Sequence, residues 1–143
     1  MRVWARRGAH VLIVLPRGSE ILEGVREAAR EAAIESASFV GLGAVEQLRL
    51  AWFDRYETRY RESTLEGVWE IASLIGNVTR YEGAPRVHAH LVASDRSCQV
   101  RAGHLAGGVV AVTCEITLTP FDAPLERRFD DAFNLPLIEL SRR

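Results

Sequence analysis

The sequence predicts an α+β domain, one helix packed on a sheet that is mostly antiparallel. Only one segment, from Glu20 to about Ala33, carries an apolar stripe at helical spacing. Roughly seven to nine other stretches alternate in polarity or run β-branched and aliphatic, as strands do. Parallel neighbours need a long crossover, usually a helix, so a single helix excludes repeated βαβ units. The 143 residues suit one domain, residues 1–143, with a core at about 9–120 and a C-terminal tail at about 121–143.

Residues 9–15, AHVLIVL, form a short apolar run bounded by Pro16 and Gly18 and read as a buried strand. Ser19 suits the N-cap of the helix that follows, and Glu20 sits in the first turn, where the helix dipole favours an anion. Ile21, Leu22, Val25, Ala28, Ala29, Ala32 and Ala33 make its buried stripe, and the alanines allow close packing on the sheet. Residues 37–45 are a strand interrupted by Gly41 and Gly43, the mark of a bulge or a close backbone approach. Residues 46–54 are a second strand with Leu48, Leu50 and Trp52 on one face. Residues 56–63 are half exposed, and 66–81 are one long strand or two with a bend at Gly76-Asn77. Residues 86–95, QVRAGHLAG and GVVAVTCEITLT supply the last regular strands, ending at Pro120. The tail has two prolines and no clear period, and is expected to pack across the surface or onto a neighbouring subunit.

A formal net charge of −1 argues against a dedicated nucleic-acid binder, which lives on phosphate contacts, although a local basic face is compatible with it. The two cysteines, Cys98 and Cys114, form no CxxC motif and read as reduced thiols. The basic N-terminus leads into an apolar run too short for a signal peptide and without a cleavage site, and no stretch approaches the ~18 apolar residues of a membrane span. The expectation is a cytoplasmic protein without a membrane partner.

The chemistry concentrates in HAHLVASDRSCQVRAGHL, residues 88–105. On a strand, His88 and His90 project side by side. The turn-like SDRSCQ should reverse the chain and bring His104 beside them. Three neutral imidazoles at one vertex suit Zn²⁺, with the fourth position open to water or a ligand. Asp95, Glu70 or Glu115 is a candidate to orient a ring nitrogen or hold the ion's water. Spacing alone also allows three hydrogen-bonded, metal-free histidines. His10 has no partner in spacing. Gly41-Leu42-Gly43 precedes no helix and so makes no phosphate loop. Ser94 lacks the surroundings of a nucleophile elbow, and Trp4, Trp52 and Trp69 read as core or interface anchors.

The order of the helix from Glu20, GLGAV, EGVWEIASLIGNV, VHAHLVASD and AGHLAGGVVAVTCEI resembles the PPC, or plant and prokaryote conserved, domain over roughly residues 9–120. The resemblance implies a mostly antiparallel sheet with a packed helix, assembled as a homotrimer, and a metal ion, usually zinc, on His88, His90 and His104. In plants the domain accompanies AT-hooks in DNA-binding proteins, and a segment beginning Gly-Arg-Phe-Glu contacts partner transcription factors. Here that segment is GVWEIA (67–72), with Val68 for the arginine and Glu70 retained. Ala102 replaces a glycine before His104, and Ser97-Cys98 replace the Asp-Gly of the turn, which predicts a wider turn and puts a thiol near the ion as a conceivable fourth ligand. No AT-hook is present, Arg6-Arg7-Gly8 being the nearest piece. Two function classes follow. One is a homotrimeric zinc-binding regulatory module for a small anion, a protein or DNA. The other is a zinc-dependent enzyme with Glu70 or Asp95 as general base.

Overall fold

The structure, a computed structural model, describes residues 3–140. Residues 1–2 and 141–143 of the single-domain assignment lie outside the described residues. The elements run β1 (Trp4–Arg7), β2 (His10–Pro16), α1 (Ile21–Glu31), β3 (Ala37–Asp54), β4 (Arg59–Leu65), β5 (Trp69–Tyr81), β6 (Ala84–Ser94), β7 (Val100–Pro120), β8 (Glu126–Asp130) and β9 (Leu135–Glu139). All belong to one sheet, antiparallel except where β8 meets β5 at Arg80 and Glu126. The expected α+β class with one packed helix is what the chain forms.

Two strands are longer than expected and organise the rest. The stretches read as separate strands at 37–45 and 46–54 are one strand, β3, which shifts register near Gly41–Gly43 instead of breaking. The last two stretches are likewise one strand, β7. Each is long enough to change neighbours along its length. The first half of β3 lies between β5 and the second half of β7, while its second half lies between β4 and the first half of β7. Since β6 pairs with both β5 and β7, the strands β3, β5, β6 and β7 close into a cycle. Closure leaves these strands without a free edge.

The core follows the alternation of the strands. Val11, Ile13 and Leu15 of β2 are buried and their even-numbered neighbours are not. Leu74, Ala89, Leu91, Leu105, Ile116 and Leu118 fill the same interior. Against it lie Ile21, Val25, Ala28 and Ala29 of α1. Leu48 and Leu50 share that face, but Trp52 is 67% exposed. The reason is that β3 has left the core there: beyond Ala51 it pairs with β4 alone. Of the two readings of residues 66–81, the single long strand is the one observed, and β5 continues through Gly76-Asn77 without interruption. Gly76 is there for closeness, since a Cβ on it would stand 2.3 Å from the His88 carbonyl oxygen and 2.5 Å from the Phe39 ring.

Two local expectations need correction, and a third, the surface packing of the tail, gains a definite form. The helix is capped by Glu20, whose carboxylate accepts from the Glu23 N–H at 2.7 Å, and not by Ser19. Ser19 is held back by β7, because its carbonyl accepts from the Val110 N–H. The turn before β7 is tight: Asp95 and Cys98 close it with a 2.9 Å backbone bond, and Cys98 itself takes the positive φ of 60° that the missing glycine would have supplied. The tail, in which no period was legible, folds into the β8–β9 hairpin and packs on this chain's own β5.

Burial pushes the Cys114 thiol up to about 11, whereas Cys98 is exposed. A thiol reagent at pH 8 should therefore label the folded protein at Cys98 and reach Cys114 only after unfolding. Peptide mapping reads the site, and labelling of Cys114 in the folded protein would contradict its burial.

Candidate metal centre

His88 and His90 alternate on β6 and project from the face opposite the core, where Ala89 and Leu91 lie. His104 of β7 stands directly across from His90 in the ladder. This register follows from the tight turn after Ser94, which also pairs Ser94 with Val100. The ligand nitrogens of the three rings all lie within 4.8 Å of one another, and among the described residues no carboxylate or thiol joins the group. Nitrogens bound at 2.0–2.1 Å to one tetrahedral ion stand about 3.4 Å apart, so small ring movements suffice to close on it.

Two ring nitrogens, His88 Nε2 and His104 Nδ1, are buried without a hydrogen-bond partner. Leaving a buried polar atom unpaired costs ~1–3 kcal/mol, and such atoms in native proteins call for an explanation. Burial, with His104, Arg127, His90 and Arg86 nearby, holds the His88 imidazole down at about 4. Burial also lowers His104, helped by His90 and Arg86 and opposed by Glu62. Both rings are therefore neutral at pH 7, the state in which imidazole offers a lone pair to a metal. The donor set fits a borderline ion such as zinc.

The predicted carboxylates are elsewhere. Asp95 Oδ1 accepts from the N–H groups of Ser97 and Gln99 at 2.8 and 3.0 Å, so it builds the turn. Glu70 is paired with Ser94, four residues along β6 from His90 and roughly 13 Å away at strand rise. Glu115 pairs with Leu42 and Val14, far along β7. Cys98 is an exposed turn residue outside the histidine group.

What surrounds the histidines instead is aromatic and cationic. Tyr60 of β4 stacks on His104 with centroids 4.2 Å apart and planes at 22°. Burial raises its phenol, and Arg86 and Arg127 pull it back. A cleft of about 400 Å³ opens beside the cluster, lined among others by Tyr60, Arg86, His88, His104 and Arg127. Arg86 precedes His88 by two residues and shares its face of β6. Arg127 arrives from the tail hairpin and donates to Thr79 Oγ1, Asn77 Oδ1 and the Pro136 carbonyl at 2.8, 2.9 and 2.8 Å. Asn77 is the ladder partner of His88, so these bonds bring the guanidinium to the metal cluster's flank. The R-V-H-A-H alternation could have revealed Arg86 from the sequence. Nothing in the sequence pattern pointed to Tyr60 or Arg127.

With this geometry in view, a family model decides the relationship: that of the Plants and Prokaryotes Conserved (PCC) domain matches residues 5–122. The chain belongs to this family. Among solved structures, a plant- and prokaryote-conserved (PPC) protein from Pyrococcus horikoshii is 28% identical with a TM-score of 0.86, covering 98% of this chain and 95% of that one. A metal-containing protein from Archaeoglobus fulgidus is also 28% identical with a TM-score of 0.86, covering 98% of this chain and all 100% of that one. A candidate DNA-binding protein from Ralstonia eutropha JMP134 is 29% identical with a TM-score of 0.88, covering 97% and 96%. No curated protein matches the chain significantly. The match of the PCC domain extends past the core strands to the start of the tail, and so leaves out the hairpin that delivers Arg127.

Proposed function

We propose that this PCC-domain protein is a metal-dependent binding module in which His88, His90 and His104 hold one zinc ion per chain. The carrying observation is the convergence of three ring nitrogens, two of them buried without a hydrogen-bond partner. The relative from Archaeoglobus fulgidus, itself metal-containing, supports the reading. Held by these three histidines, zinc would supply Lewis-acid attraction for an anionic or polar ligand. The chain's own residues shape the surroundings: Tyr60 packs His104, and the tail hairpin flanks the cleft.

The binding reading is favoured over the zinc-enzyme reading by the surroundings of the cluster. A general base must stand within hydrogen-bond reach of the metal's water. Asp95 and Glu70 lie away from it, and the cleft's carboxylate, Glu62, pairs with Arg49 at 3.2 Å. A homotrimer is supported by a run of exposed apolar side chains on the histidine-bearing face, Leu12, Val14, Val40, Leu42 and Ile75, which line one shallow depression. Such a contiguous patch suits a subunit interface. Ile75 is the ladder partner of His90, which would set the metal beside that interface. Among the described residues no helix is long and apolar enough to cross a membrane, and the expected location is the cytoplasm. DNA association is the second partner to test, given the Ralstonia relative; it requires binding at low salt that weakens steeply as salt rises.

Elemental analysis of protein purified without chelator is the direct test. About one zinc per chain is expected in the wild type and none in His104→Ala. Wild type that stays metal-free after zinc is added back would refute the metal site.

A further inference from the structure

Arg127 and Arg86 both line the cleft, and among the described residues neither is paired with a carboxylate. Arg127 is half buried and its bonds go to neutral acceptors, the Thr79 hydroxyl, the Asn77 amide and the Pro136 carbonyl. Those contacts fix its position, leave its charge uncompensated and leave guanidinium N–H donors unengaged. Arg86, an exposed residue, brings a second positive charge to the same cleft, and its guanidinium carbon lies 5.6 Å from the centroid of the Tyr81 ring. The one carboxylate on the wall, Glu62, is taken by Arg49. A half-buried guanidinium that has no carboxylate partner and feels a second cation nearby is unfavourable by itself, and an anion bound in the cleft would offset both. The remaining wall is apolar, formed by Leu22, Leu135 and Leu137.

We infer that the cleft binds a small molecule carrying a carboxylate or phosphate group, with its oxygens held by Arg127 and Arg86 beside the histidine cluster and its apolar end against Leu22, Leu135 and Leu137. The volume of about 400 Å³ falls in the range of small-molecule sites and limits the ligand to metabolite size. Guanidinium suits both head groups because its fork matches two oxygens at once. The inference rests on the metal-module reading for the function of the cleft, but the two arginines can be tested with and without metal.

The experiment is calorimetric titration of the full chain with inorganic phosphate and, separately, with succinate, in zinc-loaded and metal-free states. Saturable binding of either probe is expected, and the stronger one identifies the head group. Arg127→Gln and Arg86→Gln should each weaken it by roughly ten- to a hundredfold. Arg127 also ties the hairpin to β5, so Arg86→Gln, which leaves those bonds intact, separates ligand contact from local unfolding. Wild type that takes up zinc yet binds neither probe at about 10 mM, or wild-type affinity in both variants, would overturn the inference and leave the metal site standing. Protein that takes up no zinc would refute the metal site, and the metal-free titrations would then decide the arginine site alone.

Discussion

Alanine at position 43 is expected to destabilise the protein by about 3–5 kcal/mol. Gly43 has φ +156°, and a Cβ there would lie 2.2 Å from the Thr113 carbonyl oxygen and 2.8 Å from the Cys114 Cα. Both are backbone atoms of β7, which is bonded on one side to β3 and on the other to β2. They cannot retreat without breaking a ladder, whereas a flexible side chain would swing aside. Gly67 supplies the comparison: its φ is +81° but nothing lies within 4 Å of an added Cβ. Gly67→Ala should therefore cost only the backbone strain, about 1 kcal/mol. Urea unfolding of both variants measures the difference, and the Gly43 variant should lose about 10 °C or more in Tm. A Gly43→Ala protein within about 1 kcal/mol of wild type would mean that β3 and β7 are not in this register.

His104→Phe should invert its stability order with wild type when zinc is added. The phenyl ring keeps the stacking volume against Tyr60, 4.2 Å away, and deletes the buried Nδ1 that has no hydrogen-bond partner. In chelator the variant is expected to equal wild type or exceed it by about 1 kcal/mol, because an unpaired buried polar atom has gone. With zinc at a thousandfold over its dissociation constant, wild type should gain about 4 kcal/mol and the variant nothing. Thermal unfolding with and without zinc reads both signs in one series. If the histidines served only as packing, zinc would leave both proteins unmoved. A variant less stable than wild type in chelator would show that His104 makes a contact its geometry does not reveal.

Much of the fold was legible because period reports local geometry. The helical stripe and the alternation of Val11, Ile13 and Leu15 depend on nearest neighbours along one chain: the β2 residues and Ile21, Val25, Ala28, Ala29 and Ala32 are buried as read, while Leu22 is half-buried and Ala33, expected in the stripe, lies past the helix end at φ 54° and is exposed. Strand continuity was not legible. Gly41, Gly43 and Gly76 are breakers in isolation, and here they allow neighbouring backbones and rings to come close. The tail hid its hairpin because β8 and β9 are short and amphipathic only against each other and β5.

For the candidate site the division is similar. The sequence by itself determined that His88 and His90 share a face, since alternation on a strand is a property of the backbone, and that His104 follows a reversal of the chain. It also supplied the family resemblance. Only the tertiary structure decided which acids stay away and which cations arrive. Asp95 is next to the histidines in sequence yet is spent on its own turn, and Glu70 shares the sheet but sits several residues along it. Arg127, 23 residues beyond His104 and outside the matched family segment, reaches the cleft through the hairpin's bonds to Thr79 and Asn77. Contacts of that kind depend on how strands pair across the sheet, and pairing is set by the packing of the whole core, which no local pattern records.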